Sequence, residues 1–201
     1  MATPAATVEF KVETSGRSLG YNLPQRMGRL LWLPMVLGAL MFFGAGMALG
    51  IIRADEISDG GALDTLARLQ HLQAGFMFLG FAFVFSAISF AIARILGQFR
   101  AGGGEVQESL GLAVKALRMP TSAKLFLVLM FSGFMLGIAQ FVLYGFAAYA
   151  DDPATWFAWL GPLRELSLGL LLSGIVLALF TIGTVLGFQH WRIRQIIETG
   201  R

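Results

Sequence analysis

The sequence predicts an all-α integral membrane protein with four transmembrane helices, arranged as an antiparallel up-down bundle or as paired hairpins, with a cytoplasmic interfacial helix between them. Three observations carry that prediction. Composition is the first: 56% of the 201 residues are hydrophobic and only 13% charged, against about 25% charged in an ordinary soluble domain, and mean hydropathy is +0.71. The second is four runs free of Asp, Glu, Lys and Arg, at Leu30–Ile52, Leu69–Ala93, Leu125–Ala150 and Leu166–Trp191. These are 23, 25, 26 and 26 residues long, whereas about 20 apolar residues suffice to cross roughly 30 Å of hydrocarbon. The third is the sorting of charge between the runs. Twelve Lys and Arg flank the ends expected on one side of the membrane, and only Arg53, Arg68 and Arg164 face the other. That bias places both termini in the cytoplasm, and the expected location is the bacterial inner membrane.

The elements follow in order. Residues 1–27 form a cytoplasmic tail and interfacial segment. They lack the compact apolar core of a signal peptide, and Met1–Gly20 reads as a tail. In "YNLPQRMGR" Pro24 is expected to interrupt helix at the interface. Residues 28–98 hold the first transmembrane hairpin. Residues 99–122 form a cytoplasmic connection that opens on "AGGG", a hinge or helix stop. In "EVQESLGLAVKALR", Val106, Leu110, Ala113, Val114 and Leu117 share one helical face, which predicts an amphipathic helix whose Lys115 and Arg118 reach lipid phosphates. Residues 123–191 hold the second hairpin. Asp152 is placed to cap a short helix with Pro153 in its first position, and "GP" at Gly161–Pro162 is expected to turn the chain into the last span. Residues 192–201 form a cytoplasmic tail.

The two halves resemble each other. "RLLWLPMVLG" at Arg29–Gly38 aligns with "KLFLVLMFSG" at Lys124–Gly133, and "LQHLQAGFMFLG" at Leu69–Gly80 with "LRELSLGLLLSG" at Leu163–Gly174. Each half runs outward and back, so the pattern is that of a duplicated hairpin or of chance likeness between apolar helices, not an inverted repeat.

Packing surface is abundant. "GMALG", "GFMLG" and "GTVLG" place Gly46 and Gly50, Gly133 and Gly137, and Gly183 and Gly187 in small-xxx-small spacings that let helix backbones approach closely. Trp156, Trp159 and Trp191, with Arg192 and Arg194, suit the interface, the aromatics at headgroup level and the arginines on phosphates.

Reactive chemistry is sparse. The chain has no cysteine, which excludes disulfides, thiolate metal sites and cysteine nucleophiles. It carries no GxGxxG with a following acidic residue, no phosphate-loop lysine motif and no HExxH. No metal site and no catalytic residue is predicted. His71 and His190 fall at opposite ends of the spans, so one haem cannot bridge them. His71 reads first as the polar lip of a helix, where Glu165 holds the matching place in the second half. Gln140 is the costly polar group at depth, and reads as interhelical glue. His71, Gln140 and Tyr144 are the candidate cofactor contacts.

The expected function is that of a non-catalytic structural or accessory subunit of a multi-subunit respiratory, photosynthetic or oxidative membrane complex. No cofactor is expected within the chain, although bound lipid is, and pigment, quinone or haem fits a subunit interface. The partners are membrane lipids and other membrane subunits, with no nucleic acid. Two other readings are carried: a small oligomeric transporter or channel with Ser86, Ser132, Gln140 and Thr181 along its path, and a haem- or quinone-binding electron-transfer subunit.

Overall fold

The computed structural model describes residue 10, residues 12–14 and residues 23–199. The rest of the predicted tail 1–20, with Arg17, lies outside the described residues, as do Tyr21, Asn22 and Arg201. The protein is nearly all helical, with four helices long and apolar enough to cross a membrane. In chain order the elements are β1 (Val12–Thr14), α1 (Leu23–Ser58), α2 (Leu63–Ser109), β2 (Lys115–Leu117), α3 (Thr121–Ala147) and α4 (Pro153–Thr199).

The helices are longer than the charge-free runs that predict them. At 1.5 Å per residue the 47 residues of α2 and of α4 extend about 70 Å, more than twice the thickness of a bilayer's hydrocarbon. Charges end the apolar runs without ending the helices, because an exposed Arg or Glu is a good helix former.

This overturns several local expectations. Pro24 does not interrupt helix; it falls in the first turn of α1, where a missing N–H costs nothing. The "AGGG" segment at residues 101–104 is no hinge, since α2 runs through it to Ser109. No separate amphipathic helix follows. The chain turns at Gly111, whose φ is +68°, and Lys115–Leu117 becomes a strand paired antiparallel with Val12–Thr14, Val12 opposite Leu117. A tail segment thus supplies the partner that the periodicity alone assigned to a lipid surface. Gly161–Pro162 makes no turn either: α4 continues through Pro162. Asp152 stands at the start of α4, where the Thr155 N–H donates to its Oδ1 at 3.4 Å.

Packing runs along the chain. α1 lies along α2, with Gly38 against Phe83, Gly46 against Met77 and Gly50 against Gln73, so the two run in opposite directions. α3 lies along α4 in the same antiparallel sense, Gly133 against Leu171 and Thr181 bonded to Ser122. α2 is central and also touches α3 and α4. Beyond α2, α1 reaches α3 through Phe42, whose ring stands 6.3 Å from that of Phe141. Half of the most apolar stretch of α2 is buried, against 11% of that of α1.

The interior divides along its length. Nearer β1 and β2 it is an apolar cluster of Ala82, Ile92, Phe126, Met130, Leu171 and Ala178. Hydroxyls at this level are bonded: Ser89 donates to the Phe85 carbonyl and Thr181 to that of Leu177, at 2.7 and 2.8 Å. Toward the other end, around Tyr144, Ala147 and Leu160, His71 and Gln140 are buried with unpartnered polar atoms.

Candidate functional site

His71, two turns into α2, is fully buried. α4 covers it: the imidazole stacks on Phe157 with centroids 4.0 Å apart and planes inclined by 23°. Its Nε2 lies 3.2 Å from the Pro153 carbonyl oxygen. A carbonyl only accepts, so Nε2 carries a proton, and in the neutral imidazole Nδ1 then presents a bare lone pair. That Nδ1 is buried, with no partner among the described residues. Such an atom costs about 1–3 kcal/mol while unsatisfied.

Tyr144 faces His71 from α3, ring centroids 6.1 Å apart, and is itself buried. It can sit there because Gly75 has no side chain; a Cβ at that position would stand 2.9 Å from the Cβ of Tyr144. One turn along α3, Gln140 is fully buried with neither Nε2 nor Oε1 partnered among the described residues. Further along, Ser167 on α4 donates to the Gly133 carbonyl at 3.0 Å. His71, Tyr144, Gln140 and Ser167 therefore line a buried polar seam shared by α2, α3 and α4.

Beside this seam, α3 and α4 form an apolar groove of about 810 Å³ lined by Leu143, Trp156, Trp159, Leu160, Leu163 and Leu166, among others. Leu143, Trp156 and Leu160 also pack in the cluster around Tyr144. One layer of side chains separates groove from seam.

The structure brings His71, Tyr144 and Gln140 to adjoining levels of one seam. It separates them from His190, which is exposed near the far end of α4. Nor does it gather the uncharged path: Ser132 is exposed, whereas Ser86, Gln140 and Thr181 are buried. Glu165 is exposed, although the repeat matches it to His71. No group of three or more potential metal-ligating side chains occurs among the described residues.

Of the six glycines in small-xxx-small spacings, Gly46, Gly50, Gly133 and Gly137 face close neighbours, the last with a hypothetical Cβ 2.8 Å from that of Ala82. Gly183 has no described atom within 4 Å of that position, and Gly187 meets only the ring edge of Phe10 at 3.6 Å. Trp159 is 76% exposed, Arg194 is exposed, and Trp156 and Trp191 are half-buried. Arg192 departs from the expected phosphate anchor. It is 1% exposed, its Nη2 donates to the Lys115 carbonyl of β2, and its guanidinium lies 4.7 Å over the Phe188 ring. Its guanidinium is therefore turned toward β2 and Phe188 and away from the molecular surface.

Sequence reasoning missed Phe157 and Pro153 as the cover of His71. A Pro–Ala–Thr–Trp–Phe string carries no mark of burial, and the contact joins residues 82 apart. No protein-family model, no curated protein and no solved structure matches the chain.

Proposed function

We propose that the protein is a non-catalytic subunit that packs laterally against other subunits of a membrane complex, in the bacterial inner membrane with both termini cytoplasmic. One observation carries the reading. α1 is held almost wholly by α2, while Leu30, Leu37, Leu40, Met41, Met47 and Ile51 are each more than half exposed. Lipid covers a helix face of this kind as well as protein does, so apolarity alone does not separate the two. What favours protein is that three of the small residues of α1, Gly38, Gly46 and Gly50, are already used on α2, leaving a ridge of large side chains in which leucine and methionine predominate. Such side chains adapt to irregular partners.

Native purification in mild detergent followed by intact-complex mass spectrometry tests the reading. Further membrane subunits should travel with the chain in fixed ratio. A lone monomer at every detergent concentration overturns it. The orientation has its own test, made simple by a chain with no cysteine. Ser109→Cys and Asp59→Cys place single thiols beyond opposite ends of the apolar spans. An impermeant maleimide should label the second in intact spheroplasts and the first only after lysis; the reverse pattern overturns cytoplasmic termini.

A further inference from the structure

We propose that the cleft between the starts of α1 and α3, floored by α2, seats one acyl chain of an anionic phospholipid, whose phosphate lies at the mouth of the cleft beside Arg94 and Lys124. The inference goes beyond the subunit reading, and either can fail alone.

The cleft follows from how α1 and α3 meet α2. Near its start α1 is pressed onto α2, since a Cβ at Gly28 would stand 2.6 Å from the Phe90 carbonyl oxygen. α1 reaches α3 farther along, through Phe42 and Phe141. Between the two helix starts remains a half-open cleft of about 240 Å³, lined by Met27 of α1, Ser86 and Ser89 of α2, and Leu127 and Phe131 of α3, among others. Phe134 also lines it, with its ring 5.5 Å from that of Phe83, which stands 5.0 Å from that of Phe42. These three rings, one from each helix, close the deep end. Lys124 precedes Phe134 by ten residues, about 15 Å along α3. That is half of the roughly 30 Å of hydrocarbon in a bilayer, the depth of one leaflet.

The walls and the mouth select the occupant. The Ser89 hydroxyl turns back on its own helix, donating to the Phe85 carbonyl at 2.7 Å, so it leaves the wall apolar. One turn of α-helix, about 10 Å across and 5.4 Å long, already fills about 420 Å³, so the cleft takes a single hydrocarbon chain and not a helix. The mouth is cationic. Lys124 stands three residues before Leu127 and seven before Phe131, on the face of α3 that lines the cleft. Arg94 follows Phe90, another lining residue, by four, and its guanidinium lies 5.9 Å from the ring centroid of Trp32 on α1. Arg26 directly precedes Met27. No Asp or Glu lies within three turns of any of these cations along its own helix. A phosphodiester supplies the missing negative charge at the level of the headgroups, whereas a zwitterionic lipid brings an ammonium group that offsets it.

The test uses the full chain, purified in a neutral detergent, with phosphatidylglycerol and phosphatidylcholine of identical acyl chains added in equal amounts. Native mass spectrometry reads which lipid stays bound. In the adduct of one lipid per chain, phosphatidylglycerol should exceed phosphatidylcholine about tenfold, the order that two cations at a membrane surface supply. The preference should vanish when Arg94→Gln and Lys124→Gln are combined, at sites that are half-buried and exposed. Ser89→Leu fills the cleft without touching a cation and should lower the retention of both lipids. Equal retention of the two lipids by the parent overturns the proposal, as does a preference that survives the double substitution or a retention that Ser89→Leu leaves unchanged. Should Ser89→Leu fail to fold, photocrosslinking in cells from p-benzoylphenylalanine in place of Leu127 decides the occupant. An adduct with phospholipid is expected, and an adduct with a protein in its stead overturns the proposal.

Discussion

The two hairpins, α1–α2 and α3–α4, start from matching sequence and reach different environments. Gly38 and Gly133 occupy matching places, and each faces the other helix of its own hairpin, Phe83 in the first and Leu171 in the second. Gly80 and Gly174 also match, and face Phe43 and Met130 in the same way. Within each hairpin the small residue receives one large side chain from its neighbour. Between hairpins the likeness ends. The place of Phe42 in α1 is taken in α3 by Gly137, which admits Ala82 of α2 to within van der Waals contact. The place of the exposed Glu165 is taken in α2 by the buried His71. α2 is therefore the shared centre, and two of the positions that differ between the halves, His71 and Gly137, lie where α2 meets the second hairpin.

The contact between hairpins should be the most sensitive to bulk. Gly137→Leu drives a branched side chain into the Cβ of Ala82, which is fixed to its helix, with Phe78 and Ser167 next in the way. We expect a loss of about 3 kcal/mol, at the upper end of the cost of overpacking. Reversible unfolding in bicelles, followed by steric trapping, measures it. A loss under about 0.5 kcal/mol, the range of ordinary surface substitutions, would mean that the hairpins are not pressed together at that level.

A matched pair sharpens the same contrast. Gly75 and Gly169 align in the repeat, yet a Cβ at Gly75 would meet Tyr144 at 2.9 Å while one at Gly169 meets no described atom within 4 Å. Gly75→Ala should cost about 1–2 kcal/mol by pushing α3 away from α2. Gly169→Ala should be neutral or stabilise by about 0.5–1 kcal/mol, because alanine is the better helix former. The same assay on both variants decides it; equal effects would remove the distinction between buried and exposed copies of the repeat. The Tyr144 ring would move with α3, so Gly75→Ala should also weaken the contact with His71.

How much of this could be read from the chain follows from what each feature depends on. The spans depend only on runs without charge, a local property, and are legible at once. The ends of α2 and α4 are not, since a helix continues past the interface wherever the next residues tolerate it, as residues 101–109 do. β2 was hidden for a different reason: Ala113, Val114 and Leu117 satisfy a helical period, but Lys115–Leu117 acquires its hydrogen-bonding partner from a strand about a hundred residues earlier. Glycine spacing was an incomplete guide. Gly133 and Gly137 lie at a contact, while Gly183 repeats their spacing on a face with no described neighbour, and Gly75, Gly80 and Gly174 make close contacts without that spacing. A motif records that two backbones can approach, and only the neighbour's side chain decides whether they do. At the candidate site, His71, Tyr144 and Gln140 were each conspicuous as polar groups among apolar ones. That α4 closes over His71 through Phe157 required the packed molecule.

The smallest expected effect lies at the one seam hydroxyl whose bond crosses between helices. Ser167 donates to the Gly133 carbonyl from α4 to α3 at 3.0 Å and is fully buried. Its place in the first half is held by Gln73, which lies against Gly50. Ser167→Ala removes the donor but leaves the Gly133 carbonyl its bond within α3, so no acceptor is stranded. Interhelical bonds of this kind contribute about 0.6 kcal/mol on average in membrane proteins, and the loss should be of that order. A loss above about 2 kcal/mol would show Ser167 to be coupled to the unsatisfied Gln140 on α3. The double variant with Gln140→Leu distinguishes the two outcomes, since independent groups give losses that add and coupled ones do not.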